Sequence, residues 1–402
     1  MKKAIIRIPT ILFVLITVST SLVLSGCSFR YIMHAAVGEL KLLSNSVPIE
    51  KALRDPSLSE EQKERLLLVA KIKAFGESEL GLKKTASYET AYLKSDQPPI
   101  YFLSASPKDR LSLVTWWFPI LGKMPYLGFF DVQRAREEEK KLEAKGLDTF
   151  LGRADAYSTL GWFKDPVTLN LIKESSYSLA ETILHEMTHA TLYVRGRGEF
   201  NEGLAVLVGK EGSKLFFEKV YGPFHPFTIQ AKNSLHDEEI FSGFLSSLIQ
   251  ELRQIYESPL SYQEKIAKRE VIFSDSKKKF EALKEKLRTP IFLGYEQAPL
   301  NNAYIMCIGL YHAHFKLFLN VLKHNGNSIK EMLSFLKELS EAKGDMLQLM
   351  KGWLDTQQAL GPRESRSSLN ERANTAGTAL PLTRPKSESR LHPVMQSCGI
   401  VK

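Results

Sequence analysis

His185-Glu186-Met187-Thr188-His189 sets two imidazoles four residues apart, with a carboxylate directly after the first. On a helix that spacing is one turn, so both rings leave the same face and can meet at one metal ion. Two nitrogen donors at that pitch suit a single Zn²⁺. Glu186 lies about a hundred degrees round the helix from His185. There it reaches a water rather than the metal and can serve as the general base of a hydrolase.

A catalytic metal needs a third ligand. Glu202 follows His189 by 13 residues, beyond a turn marked by Gly196 and Gly198. That is enough chain to bring a carboxylate back beside the imidazoles. Glu199, in the turn itself, is the rival. A plainer reading pairs His185 and His189 with carboxylates on a helix surface. Against it stand a helix-start pattern, Ser178-Leu179-Ala180-Glu181, and a stripe of Ile183, Met187, Ala190 and Val194 that would bury one face.

These ligands require elements to hold them, and the pattern is α+β and mainly helical. Residues 27–98 read as N-terminal helices, with apolar residues from Leu66 to Phe75 at helical intervals and breaks at Pro48 and Asp55-Pro56. Short aromatic and β-branched runs follow at Ile100 to Leu103, Leu111 to Phe118 and Tyr126 to Phe130. Val132 to Lys145 reads as a charged helix closed by Gly146, and Leu147 to Leu160 as a further strand. With the motif helix and a helix over Phe200 to Tyr221, residues 99–222 form a sheet with the two zinc-site helices. Residues 223–360 are helical, with turns at Thr289-Pro290 and at His324-Asn325-Gly326-Asn327.

The ends differ in kind. Lys2, Lys3 and Arg7 precede an uncharged apolar run, Ile11 to Leu24, which closes on Leu24-Ser25-Gly26-Cys27. Positive charge, a short apolar segment and then small residues make residues 1–26 a signal peptide. The ending resembles the lipobox of bacterial lipoproteins. That likeness implies cleavage before Cys27 and acylation of its sulfur, a lipid anchor in the cell envelope. Ser28 would direct the protein to the outer membrane, facing the periplasm, in a diderm host. Residues 361–402 carry no aromatic residue and are expected to be a disordered basic tail.

The net charge of +9 on 402 residues does not point to nucleic acid. The leader contributes three positive charges and the tail seven against three Glu, leaving residues 27–360 near +2. No basic stripe is concentrated on the fold, so no nucleic-acid partner is expected. Cys27, Cys307 and Cys398 cannot form a disulfide framework, and Cys307, in an apolar run, reads as a buried small hydrophobe.

Several stretches resemble the bacterial aminopeptidase family of lipoproteins, a group with a gluzincin signature of HExxH plus Glu. They include Ala35-Ala36-Val37-Gly38-Glu39-Leu40, Ser87-Tyr88-Glu89-Thr90-Ala91-Tyr92, and Trp117-Phe118-Pro119 with Gly122, Tyr126, Gly128 and Phe130. The longest runs from Ala156-Tyr157-Ser158-Thr159-Leu160-Gly161-Trp162 to Pro166, and Phe200-Asn201-Glu202 and Leu300-Asn301-Asn302-Ala303 complete the set. The likeness covers most of residues 27–350. It implies a zincin-like core with a small antiparallel or mixed sheet, zinc held by His185, His189 and Glu202, and Glu186 as base. A peptide or protein is then the substrate.

Tyr157, just before the motif helix where zincins lay substrate, is the first candidate to stabilise the oxyanion; Tyr304 and Tyr311 are alternatives. Glu199 and Asp155 are candidates to hold a substrate amino group. Asn301-Asn302 reads as a helix cap, and His312 and His314 as structural. The competing readings are an envelope endopeptidase with the same site and a zinc-binding lipoprotein scaffold without turnover.

Overall fold

The structure, a computed structural model, describes residues 43–94, 100–118, 122–154, 164–359 and 399–400. The signal peptide, Cys27, Asp155 and Tyr157 lie outside the described residues.

Strand β1 (Val47–Pro48) leads into α1 (Ile49–Ala52), followed by α2 (Glu60–Ser78) and β2 (Thr90–Tyr92). A reciprocal cap starts α2: Ser59 Oγ accepts from Gln62 N, and Gln62 Oε1 accepts from Ser59 N. The expected helical segment 27–98 therefore also holds strands. Neither strand shows in the pattern because each is only two or three residues long.

Next come β3 (Ile100–Ser106), β4 (Trp116–Phe118), β5 (Gly122–Met124), β6 (Leu127–Phe129), α3 (Val132–Glu143) and β7 (Asp148–Ala154). The expected strand over Leu111 to Phe118 shrinks to its last three residues, and Tyr126 falls in the β5–β6 turn rather than on a strand. Gly146 closes α3 with φ 79°, as its position predicts. The main sheet runs β6-β3-β7-β9 and is antiparallel, where β9 is Gly399–Ile400. These two residues are the described part of the expected tail, and they pair with Gly152 and Arg153. A side chain on Gly152 would collide with the Phe102 ring, so only glycine fits there. A mixed sheet of β1, β2 and β8 (Val167–Thr168) ties the N-terminal segment to the approach to the motif helix.

From α4 (Leu169–Ile172) onward the chain is helical: α5 (Ser176–Thr191), α6 (Gly198–Tyr221), α7 (Pro226–Tyr256), α8 (Tyr262–Lys284), α9 (Asn302–His312), α10 (Phe315–His324), α11 (Ile329–Leu339) and α12 (Met346–Ala359). The turn at Thr289-Pro290 is held by Asp237 of α7, whose carboxylate accepts from Arg288 N, Thr289 N and Thr289 Oγ1. Sheet and helices are joined at Asp148. Arg269 of α8 bridges it at 2.7 Å, and Asn302 N donates to it at the start of α9. One continuous apolar core runs from α2 through α5, α6, α7 and α9 to α12. Cys307 is buried in it, as expected.

Candidate metal centre

Helix α5 begins at Ser176, capped by Ser175, whose hydroxyl accepts from Ser178 N. The expected start at Ser178-Leu179-Ala180-Glu181 is thus three residues late. Ser178 is the partner of the cap, and Glu181 turns away to Lys210 and Ser234. Ile183 and Met187 are buried as the stripe predicts, whereas the helix has ended before Val194.

Two devices bring α6 against α5 in a fixed register. Gly209 faces α5 where an added Cβ would lie 2.8 Å from the carbonyl oxygen of Glu181 and 3.5 Å from Cβ of His185. The backbones meet there because no side chain intervenes. Asn201, buried beside Glu202, clamps the connection: its Oδ1 accepts from Val194 N at 2.8 Å and its Nδ2 donates to Val194 O at 2.9 Å.

The result is a triangle of ligand atoms. His185 Nε2 and His189 Nε2 are 3.1 Å apart, and Glu202 Oε2 stands 3.3 Å from the first and 3.4 Å from the second. Tetrahedral bonds of about 2.0–2.1 Å to zinc put ligand atoms about 3.3 Å apart. The three therefore fit one tetrahedral ion with a fourth position left over. Glu202, not its rival Glu199, completes the set; Glu199 lies in the first turn of α6, half exposed, with His314 Nε2 3.7 Å away. Among the described residues this is the one group of histidine and acidic side chains converging in this way.

The electrostatics favour a cation. Burial works to raise the pKa of Glu202, but the imidazoles of His189 and His185 outweigh it and bring it to about 2. Burial works to lower His189, and Glu202 outweighs that in turn, so His189 is raised. Glu202 thus stays anionic and draws positive charge onto the imidazoles, at the place where a cation would be held. His189 Nδ1 is buried without a hydrogen-bond partner among the described residues. Glu186 behaves differently: burial raises its pKa, Glu202 and Asp165 add to this, and the two imidazoles oppose it without prevailing. A carboxyl shifted toward neutrality is suited to accept and return a proton.

Tyrosines line the site. Tyr311 stacks over His185 at 6.2 Å and 23°, and Tyr193 meets His189 edge-on at 6.2 Å. Burial, followed by the charges of Glu202 and Glu186, raises Tyr126 well above its ordinary value; burial with Glu186 and Asp165 does the same to Tyr88. Both phenols are therefore neutral donors at any physiological pH. Tyr88 sits at φ 63°, a left-handed conformation that a non-glycine residue keeps only when its surroundings enforce it. Its amide donates to Asp165 O at 2.7 Å. No periodic pattern marks Tyr88, Tyr126 or Asp165. The available signal was their membership in the motif segments quoted above.

Of the alternatives, Tyr304 is wholly buried against Phe150 and Tyr295 in the core. Asn301 caps α9, as expected. Asn302 does more, pinning the loop at Pro107, Lys108 and Arg110 from inside. His312 pairs with buried Glu238 at 2.7 Å.

Neither a curated protein nor a solved structure matches the chain. A family does match, over residues 30–347, which takes in strands β1 to β8, the whole candidate metal centre and most of the helical region. The chain belongs to the family described as Putative aminopeptidase.

Proposed function

We propose that the protein is a zinc-dependent aminopeptidase on a zincin-like core, tethered to the bacterial cell envelope by an acylated Cys27. The observation that carries the enzymatic part is the ligand triangle of His185, His189 and Glu202 with a partly buried, basic-shifted Glu186 on the helix of the two histidines. Zinc bound there supplies Lewis acidity, acidifying a water and polarising the scissile carbonyl.

The chain's own residues do the rest. Glu186 takes the proton of the attacking water and delivers it to the leaving amine. Tyr126, kept protonated by its surroundings, donates to the oxyanion, the role expected of Tyr157. Tyr311, stacked on His185, holds that ring's plane. Asp165, buried and within electrostatic range of Glu186, supplies negative charge toward which a substrate ammonium can be drawn. The lipobox ending at Cys27 and the serine after it support outer-membrane anchoring facing the periplasm in a diderm host.

The test is a mixed peptide library incubated with the full-length chain in detergent, with cleavage read by mass spectrometry and Glu186→Gln beside it. Loss of single N-terminal residues, abolished in the variant, is the expected result. Internal cuts with the same dependence would make it an endopeptidase. Intact peptides from a folded, zinc-loaded chain would leave a zinc-binding scaffold.

A further inference from the structure

We infer that the hairpin joining α6 to α7 is a membrane-docking tip that inserts Phe224 into the lipid surface. The tip is at the other end of α6 from the metal centre. Nineteen residues separate Tyr221 from Glu202, about 28 Å along the helix, so the catalytic cleft does not account for it.

Phe224 is 87% exposed, and Val220, Tyr221 and Ile229 beside it are exposed too. Nine large apolar side chains are exposed among the described residues, and four of them fall within these ten positions. Scattered single residues need no explanation, whereas such a concentration does.

The hairpin is also built to be stiff. Gly222 turns the chain at φ 88°, and Pro223 and Pro226 flank Phe224 and His225. Thr228 Oγ1 donates to Gly222 O at 2.8 Å, and Lys232 Nζ reaches Pro223 O at 3.4 Å. Tyr221 stacks on His225 at 4.8 Å, with the edge of Phe227 against both. A rigid support holds Phe224 out in water, which is unfavourable unless something apolar receives it.

Three observations select a bilayer as the occupant. From Lys219 to Lys232 the chain carries no acid, so the apex presents no carboxylate to repel anionic headgroups, while its two lysines are paired with Glu79 at 2.7 Å and Glu218 at 3.0 Å behind it. An apolar apex ringed by Tyr221 and His225 has the polarity gradient of the water–lipid boundary, where amphipathic rings settle. Sixteen residues separate Cys27 from Leu43, a reach of at most about 60 Å, so a chain anchored at Cys27 holds its folded body beside the bilayer. The inference rests on the anchored reading above.

The experiment incorporates the full-length chain into vesicles of phosphatidylethanolamine and phosphatidylglycerol, with and without bromine on the acyl chains. Phe224→Trp is the reporter. Val271→Trp, at a solvated site on α8 that is 60% exposed, is the control. Emission is read as the difference from the unsubstituted chain. At position 224 the emission should shift to the blue and fall at least twofold with brominated lipid, with no change at 271. A chain that floats with the vesicles but shows no quenching at 224 overturns the docking tip and leaves the anchor standing. A chain that does not float overturns the anchor and the tip together. Concentration-dependent dimerisation that shields position 224 from water without bromine quenching would make the occupant a second copy and overturn the lipid assignment.

Discussion

Glu186 and Glu202 are both partly buried in one cluster, and loss of water raises the pKa of each; only in Glu202 do the imidazoles reverse the sign and bring it to about 2. Two carboxyls driven apart in this way take separate roles, one permanently anionic toward a metal and one able to exchange protons. Glu186→Gln should therefore keep one zinc per chain by elemental analysis while kcat falls by about 10²–10⁴. Glu202→Gln should lose the metal itself, and Tyr126→Phe should keep the metal and lower kcat by about 10²–10³. A Tyr126→Phe enzyme with unchanged kcat would remove that residue from the reaction. The metal pair was legible in the sequence because two donors four apart on a helix share a face whatever surrounds them. Tyr126 and Tyr88 were not, because they reach the site from a turn and a loop, where position depends on long-range packing rather than on spacing.

Helices α5 and α6 hold that chemistry through contacts that spacing only half discloses. The pattern placed Glu202 on a returning helix, but not the Asn201 clamp on Val194, which decides how sharply the chain returns. Asn201→Ala leaves a buried amide and carbonyl unpaired, so it should cost about 1–3 kcal/mol in denaturant unfolding. Zinc affinity, read by chelator competition, should fall about 10–100-fold because the residue orients a neighbouring ligand.

Glu181, read in sequence as a capping residue, belongs instead to a buried network across α5, α6, α7 and α9. Lys210 lies 3.2 Å from Glu181 and 3.6 Å from Glu238, and His312 is 2.7 Å from Glu238. Removing the cation takes the shared partner from buried Glu238 and partly buried Glu181, so Lys210→Met should destabilise by about 3–5 kcal/mol near neutral pH. Burial tends to raise Glu238, and His312 with Lys210 outweighs it, so its folded pKa is depressed. The stability it contributes is therefore present above about pH 4.3, the unfolded value, and lost as pH falls through the folded one. Thermal melts of Lys210→Met and the parent should accordingly differ most from pH 5 to 9 and converge below pH 4.

At the scale of the molecule, the mainly helical α+β class followed from periodicity, whereas the sheet order β6-β3-β7-β9 did not. Strand neighbours so far apart in sequence are chosen by which faces can be buried together, as when Gly152 admits the Phe102 ring and Asp148 receives Arg269 and Asn302. That architecture predicts how the protein responds to loss of the proposed zinc. The triangle links only α5 and α6, and these are already packed through Leu184, Leu204, Leu207 and Val208, all buried. Metal binding then adds to a fold that exists without it, unlike a small zinc module that unfolds on chelation. Zinc at a thousand times its Kd contributes about 4 kcal/mol to the native state. Treatment with EDTA should lower the Tm by several degrees, leave far-ultraviolet circular dichroism unchanged, and be reversed by one equivalent of zinc. Glu202→Gln should melt near the chelated parent and gain nothing from added zinc. Collapse of the helical signal on chelation would show the metal to be a structural support of the fold rather than a ligand of a preformed cleft.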